Sequence, residues 1–350
     1  MKKVFYFVFA ILLIGNTQTA SGQKDNYKVA AVGFYNFENL FDTVDDPEKN
    51  DAEFLPEGDR AWTEKFYNEK LNNLAKVVSD IGVDLSPDGL AILGVSEVEN
   101  RKVLEDFVKT EKVKDRNYQI IHYESPDKRG IDCALLYQEK YFKVESSRAI
   151  PLYIYSKKSN YRVYTRDVLL VSGDFDGERM HVMVNHWPSR SGGEKKSAPR
   201  RIAGGKLVRS VMDSIEAVEP NAKIIVMGDF NDDPINKSVR QALKAKKTKK
   251  EAEISGTYNA MWELYSKGFG TLAYRDAWSL FDQIILTKPL IEKDQDGYFH
   301  HKSMIYNERY LVTKNGQYKG YPFRTFAGSL YAGGYSDHYP VYIYLIKKIT

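Results

Sequence analysis

Short apolar runs recur along this chain, separated by polar stretches of uneven length. Residues 28–35, 90–95, 118–122, 131–137, 141–146, 167–172, 180–185, 223–228, 283–287 and 340–346 are brief, apolar and often rich in Val and Ile, which predicts strands. A helical period replaces that pattern from about Glu64 to Ile81, where Tyr67, Leu71, Leu74, Ala75, Val78 and Ile81 share one face. Thr63 is placed to cap its start and Gly82 to end it. A second helix is predicted from about Pro199 to Val218, with Ile202, Val208, Val211, Met212 and Ile215 inward, and a weaker one over 100–109. Residues 42–60 and 288–335 are irregular, rich in turn formers and tyrosine, and predict long surface loops. About ten strands with few helices predict two packed sheets flanked by helices. Helix follows strand too irregularly for a simple parallel doubly wound sheet.

The first residues change the picture of where the chain works. Lys2 and Lys3 precede the apolar run Val4–Ile14, and small residues lead to Ala20-Ser21-Gly22 before Gln23. That run is too short to span a bilayer, which needs ~20 residues, and reads as a signal peptide over 1–22. A secreted or periplasmic protein is expected, with one domain over 28–346, no transmembrane segment in the mature chain, and a monomeric state. The single cysteine, Cys133, excludes an intramolecular disulfide framework and lies in an apolar run, as a buried inert thiol would. The net charge of +4 includes the two leader lysines, so bulk basicity gives no support for nucleic-acid binding and a local patch would have to supply it. The lysine-rich run 244–250 reads as a solvated loop or helix face.

Chemistry-bearing residues gather at the strand ends. The runs end at Asn36, just before Glu97, at Asn185-His186 and at Gly228-Asp229-Phe230-Asn231, while Asp282 and Asp337-His338 precede two others. In antiparallel neighbours the end of one strand lies beside the start of the next, so these positions can converge on one rim. Magnesium takes hard oxygen ligands and keeps several waters. Glu97 is the best direct ligand, completed by Asp229, Asp337 and Asn36, and Asp282 is suited to orient His338 for proton transfer.

The motifs Tyr35-Asn36-Phe37-Glu38-Asn39, Val95-Ser96-Glu97-Val98, Arg129-Gly130-Ile131-Asp132, Asn185-His186-Trp187-Pro188-Ser189, Gly228-Asp229-Phe230-Asn231-Asp232, Phe281-Asp282-Gln283-Ile284 and Ser336-Asp337-His338, in that order, resemble the endonuclease/exonuclease/phosphatase superfamily over about residues 28–346. The resemblance implies a four-layer α/β/β/α sandwich and a metal-dependent phosphoester hydrolase, most simply a nuclease-like phosphodiesterase using Mg²⁺, with Mn²⁺ or Ca²⁺ as alternatives. It implies metal ligation by Asn36 and Glu97 with help from Asp229 and Asp337, and positioning of water and phosphate by Asp229 and Asn231. His338, paired with Asp282, would act as acid/base or as a phosphate contact, and His186, oriented by Asp132, would be the second catalytic histidine; Arg166 would contact phosphate, with Arg190 and Arg200 flanking. Ser96 stands where many relatives have Gln, and Glu99 stands where the deoxyribonuclease branch has an Arg for DNA, which argues against duplex DNA. The expected partner is a phosphoester, nucleic acid among the candidates. Sphingomyelinase-like and inositol- or sugar-phosphate hydrolysis remain open, as does a non-catalytic secreted binding module. Gly94-Val95-Ser96-Glu97-Val98 lacks the closing Gly of a serine-hydrolase elbow.

Overall fold

The computed structural model describes residues 26–156, 160–293 and 297–349, so the expected leader at 1–22 lies outside the described residues. The apolar runs form strands β1 (Tyr27–Leu40), β2 (Leu90–Val98), β3 (Tyr118–His122), β4 (Asp132–Gln138), β5 (Phe142–Ile150) and β6 (Val168–Phe175). The series continues with β7 (Glu178–His186), β8 (Lys223–Asp229), β9 (Thr257–Asn259), β10 (Asp282–Thr287), β11 (Phe299–Ile305) and β12 (Val341–Lys348). They build two six-stranded sheets, ordered β11-β12-β1-β2-β4-β3 and β9-β10-β8-β7-β6-β5. Pairing is antiparallel except between β1 and β2 and between β7 and β8. A parallel pair needs a long crossover. Helix α1 (Glu64–Asp80) lies within the first crossover, α2 (Arg101–Val108) follows β2, and α3 (Glu194–Val218) lies within the second crossover.

Strand alternation divides the apolar side chains among three cores. Tyr35, Phe37, Leu93 and Val95 point outward from the first sheet onto Leu71, Leu74 and Val78 of α1 and Leu104 and Phe107 of α2. Val32, Phe34 and Ile92 face Val182, Val184, Ile225 and Met227 of the second sheet. Met183, Ile224 and Val226 turn outward onto Val208, Val211 and Met212 of α3. The result is the expected α/β/β/α sandwich. Gly94 marks the close approach between sheets, since a Cβ there would lie 2.6 Å from Met227 Sδ. Cys133 is buried in the central core, with its thiol pushed well up by burial.

Three readings need correction. Residues 299–305 are not loop but β11, an edge strand on β12, whose His300-His301-Lys302 run lacks an apolar pattern because one edge meets solvent. Helix α3 starts at Glu194, so Pro199 sits in its second turn rather than at its start. Thr63 makes no side-chain cap; its carbonyl instead takes the Tyr67 N–H at 2.9 Å. Among the described residues no helix is long and apolar enough to cross a membrane.

Candidate active site

Each sheet delivers its polar residues to the same rim. In the first, β1 passes Asn36 and β2 reaches Glu97, while Asp337 and His338 lie just ahead of β12. In the second, Asp229 at the end of β8 is the register partner of both His186 on β7 and Asp282 on β10. Three functional positions therefore lie side by side across three neighbouring strands. Gly228 allows this local course, because a Cβ on it would come within 2.1 Å of the Asn185 carbonyl oxygen.

Asp229 is the hub. Its Oδ2 accepts from Asn36 Nδ2 at 3.2 Å and lies 3.6 Å from His186 Nε2 and 3.9 Å from His338 Nε2. Glu97 Oε1 lies 3.7 Å from the same His186 nitrogen, and Glu97 Oε2 accepts the Asn39 N–H at 3.0 Å. His338 Nδ1 bonds Asp282 Oδ2 at 2.7 Å, as expected, and its Nε2 is 4.0 Å from Asp337 Oδ1. Asn231 is fixed by its N–H on Asp229 Oδ1 at 2.8 Å and its Nδ2 on the Trp187 carbonyl at 2.9 Å. The eight positions read from the strand ends thus share one cluster.

The backbone is strained where it matters. Glu38, Asn39, Glu97 and Asn231 all take left-handed conformations with φ of 46°, 49°, 59° and 50°. For Glu such a φ is uncommon and costs of order 1–3 kcal/mol. The β1–β2 and β2–β4 registers slip at Asn36–Leu40 and Ser96–Val98, so the strain coincides with bulges that re-aim side chains at a strand end.

The two imidazoles are set to opposite charge states. Burial holds the His186 imidazole well below its ordinary value, helped by the Arg166, Arg129 and His338 charges, so it is neutral. Burial opposes charge on His338 too, but the Asp282 carboxylate outweighs it, with Asp229 and Asp337 adding, and holds that imidazole well above its ordinary value. Burial, with the Asp282 and Glu97 charges, pushes the Asp229 carboxyl up to about 7 against the opposing pull of His338. Asp337 stays below the carboxylate range: burial acts against this, and His338 and Arg324 overcome it.

Five residues behave differently from expectation. Asp132 bonds His122 Nε2 at 3.0 Å and the Ser125 N–H at 2.8 Å, while His186 Nδ1 is buried without a hydrogen-bond partner, so no carboxylate orients that ring. Arg166 is buried and spent on Asp127 Oδ2 and the Trp187 carbonyl, each at 2.8 Å; it braces the wall behind His186. Arg190 is a clamp: Nε donates to the Asn231 carbonyl at 3.0 Å, Nη2 to Asp233 at 3.1 Å, and its guanidinium lies 4.4 Å over the Phe281 ring. Arg200 is exposed on α3. Glu99, expected to repel a phosphate backbone, is instead buried, accepts the Asp42 N–H at 2.7 Å, and is pushed up to about 8 by burial and by Asp42, Asp51 and Asp46.

Sequence reading missed a charged support beneath Asn36 and Asp337. Lys70 Nζ, fully buried on α1, donates to Thr325 Oγ1 and to the Tyr335 carbonyl at 2.8 Å, and lies 3.6 Å from Glu38 Oε2. Arg324 pairs with Asp337 and lies 3.6 Å from Glu38 Oε1; the Glu38 N–H in turn donates to Asn36 Oδ1 at 2.8 Å. The available signal was Lys70 itself, one turn after Tyr67 on the apolar face of α1.

The donor chemistry fits a hard divalent ion. Asp229, Asp282 and His338 bring ligand atoms within 4.8 Å of one another, and Glu97 Oε1 and Asp229 Oδ2 flank a single neutral imidazole nitrogen. Burial, with the Asp282 and Glu97 charges, raises the Asp229 carboxyl, an excess of negative charge that a divalent cation relieves. Glu97, Asp229, Asp337 and Asn36 could supply its oxygens.

The profile of the endonuclease/exonuclease/phosphatase family matches residues 31–347. No curated protein matches the chain significantly. Among solved structures, a humanized D. rerio TDP2 carrying 14 mutations superposes with a TM-score of 0.55 at 13% identity, covering 91% of this chain and 98% of its own. An endonuclease/exonuclease/phosphatase family protein from Bacteroides thetaiotaomicron gives 0.55 at 15% identity, covering 93% and 97%. A mannosyl-6-phosphatase from the same organism gives 0.51 at 16% identity, covering 90% and 99%. At these identities the likeness is one of fold.

Proposed function

This chain belongs to the endonuclease/exonuclease/phosphatase family, a group of phosphoester hydrolases, and from that premise we propose that it is a divalent-metal-dependent phosphodiesterase of nuclease type. The observation that carries the reading is the pair of imidazoles held in opposite charge states on either side of Asp229. Two titratable groups pushed apart by their surroundings are the mark of an acid and its complement.

A Mg²⁺-class ion held by Glu97 with Asp229, Asp337 and Asn36 would polarise a phosphoryl oxygen and stabilise the departing one. The chain's own groups do the rest. Asp229, fixed by the Asn36 amide and the Asn231 N–H, is placed to orient an attacking water in its ionised form. His338, charged and oriented by Asp282, holds a proton at Nε2 for the leaving oxygen. Neutral His186 can hydrogen-bond a phosphoryl oxygen through Nε2 without adding charge. Asn231 and Trp187 keep Asp229 and His186 in register.

A cleft of about 570 Å³ beside Arg129, the arginine whose charge reaches His186, supports a nucleic-acid substrate. Lys128, Arg129 and Arg162 line it with Tyr161 and Tyr164, and Arg162 stacks 4.9 Å over the Tyr164 ring. Basic groups interleaved with exposed aromatics suit an unpaired strand, by phosphate contact and base stacking. One D. rerio TDP2 structure holds a single-strand DNA product. A second reading, hydrolysis of a small sugar phosphate, is favoured by the tighter cleft of about 230 Å³ that Arg60, Tyr318 and Arg324 form beside Asp337. One panel decides: single-stranded DNA, plasmid, RNA, sphingomyelin, inositol phosphates and hexose phosphates, each with Mg²⁺, Mn²⁺ and Ca²⁺. Cleavage of single strands, lost by at least ~100-fold in Glu97→Gln and in His338→Ala, is expected. Unchanged turnover in both variants would sink the mechanism.

A further inference from the structure

We propose that the connection between β3 and β4 carries a structural divalent ion of the zinc class, held by His122, Glu124 and Asp132 and separate from the catalytic rim. β3 ends at His122, opposite Ala134 of β4. Continuing that antiparallel register by two residues sets Glu124 across from Asp132, and the strand period of two keeps His122 and Glu124 on one side. One ligand atom from each residue lies within 4.8 Å of the other two.

The cluster is built rather than incidental. The side chains of His122 and Asp132 are 3% and 1% exposed, and Asp132 Oδ2 meets His122 Nε2 at 3.0 Å. The other oxygen, Oδ1, takes the Ser125 N–H at 2.8 Å, which fixes the carboxylate plane. Zinc held at about 2.0–2.2 Å by a tetrahedron of N and O atoms sets neighbouring donors about 3.3 Å apart. The His122–Asp132 separation is therefore already close to one edge of that tetrahedron. Glu124 completes the face as the solvent-side arm, and a water can take the fourth position. Its existing cation, Lys49 Nζ, is 3.7 Å away at the surface and contributes little. Two carboxylates and one imidazole facing a common point form a donor set that a cation between them would complete. One imidazole with two carboxylates suits zinc-class ions better than the all-oxygen preference of Mg²⁺ or Ca²⁺.

The position gives the ion a purpose. The loop that leaves this cluster carries Asp127, which holds Arg166, which in turn binds the Trp187 carbonyl next to His186. The same loop carries Arg129, whose charge reaches His186. An ion at its neck would stiffen the wall of the site. It also gives Asp132 an employment other than orienting His186.

The test uses the full chain with Glu97→Gln and Asp229→Asn, which remove the two rim carboxylates nearest His186, so its outcome does not depend on the catalytic reading. After loading with Zn²⁺ and dialysis, about one equivalent is expected by mass spectrometry of the metal. Co²⁺ in its place should give the intense visible bands of a tetrahedral site. Excess Zn²⁺, at about 100 times its Kd, should raise Tm by roughly 3–10 °C. Adding His122→Ala, or the milder Glu124→Gln at the exposed arm, should remove the cobalt bands and the thermal gain. The proposal is overturned if the parent retains no zinc while folded, or if it retains zinc that both variants keep.

Discussion

Replacing Asp282 by Asn removes one charge and keeps the shape, which makes it the sharpest probe of the rim. The carboxylate accepts from His338 Nδ1 at 2.7 Å and is the largest influence raising that imidazole. It also raises Asp229, with which its ligand atoms share a 4.8 Å neighbourhood. A hydrogen bond to a charged partner contributes ~1.5–3 kcal/mol, and ~1.36 kcal/mol is a factor of ten, so without the Asp282 charge His338 should fall. For Asp229, unit charges ~5 Å apart at an effective dielectric of ~20 interact by ~3 kcal/mol, an upper limit that gives a fall of about 1–2 units. The active form needs Asp229 ionised and His338 protonated. The acid limb of kcat/KM follows the first and the alkaline limb the second. Both limbs should therefore move toward lower pH together, with the loss at pH 8 reaching at most ~10–100-fold and a partial recovery near pH 6. A pH series with a chromogenic phosphodiester in saturating Mg²⁺ reads this directly. A uniform fall at all pH values, with neither limb displaced, would refute the coupling of Asp282 to both groups.

Two further outcomes test the supports of the site. Lys70→Met leaves Glu38 buried beside Arg324 alone and should lower stability by about 3 kcal/mol in urea unfolding, with part of the loss recovered in Lys70→Met/Glu38→Gln; a double variant no better than the single would show that the two charges are not coupled. Glu99 is pushed up to about 8, so the folded state must keep its proton while the unfolded chain releases it above about 4.5. Its penalty is absent at pH 4 and grows to roughly 3–5 kcal/mol by pH 8. Glu99→Gln should raise Tm at pH 8 and leave it unchanged at pH 4, and an equal shift at both pH values would contradict the assignment.

The legibility of the chain followed the hydrophobic effect. Val29–Tyr35, Leu90–Val95, His181–Val184 and Lys223–Met227 must be buried on both faces, so the first polar residue after each run had to mark the rim, and Asn36, Glu97, His186 and Asp229 were readable for that reason. Where one face meets solvent the pattern dissolves, and β11 with its His300-His301-Lys302 run was read as loop. Partnerships between charged groups were harder still. Asp132 was matched to His186 by motif order, yet its carboxylate bonds His122, whose register partner is Ala134 two residues further along β4. Arg166 was read as a phosphate contact from the family resemblance and Arg190 from its place beside His186, whereas their partners Asp127 and Asp233 come from loops whose placement no local pattern encodes. Lys70 belongs to the same class: only the packing of α1 beneath Glu38 makes a cation there useful.

The convergence of the rim follows from one device used twice. In each sheet a parallel pair, β1 with β2 and β7 with β8, is joined through a helix on the outer face. Each pair is then flanked by an antiparallel strand, β12 beside β1 and β10 beside β8. Parallel strands present their carboxyl ends on one side, and the flanking strand must begin there. Asn36 and Glu97 with Asp337-His338, and His186 and Asp229 with Asp282, are those ends and starts. Stacking the two sheets through the close approach at Gly94 and Met227 brings the two half-sites edge to edge. The bond between Asn36 and Asp229, one residue from each sheet, crosses that seam. The left-handed turns at Glu97 and Asn231 then re-aim a carboxylate and an amide at the junction. Electrostatics completes the division of labour: burial, with Arg166 behind it in the same half-site, keeps His186 neutral, while His338 reaches across to Asp282 of the opposite sheet and is charged by it. The charge state of each imidazole therefore depends on which sheet it leans on, so a change that loosens the contact between sheets should lower activity before it lowers the stability of either sheet.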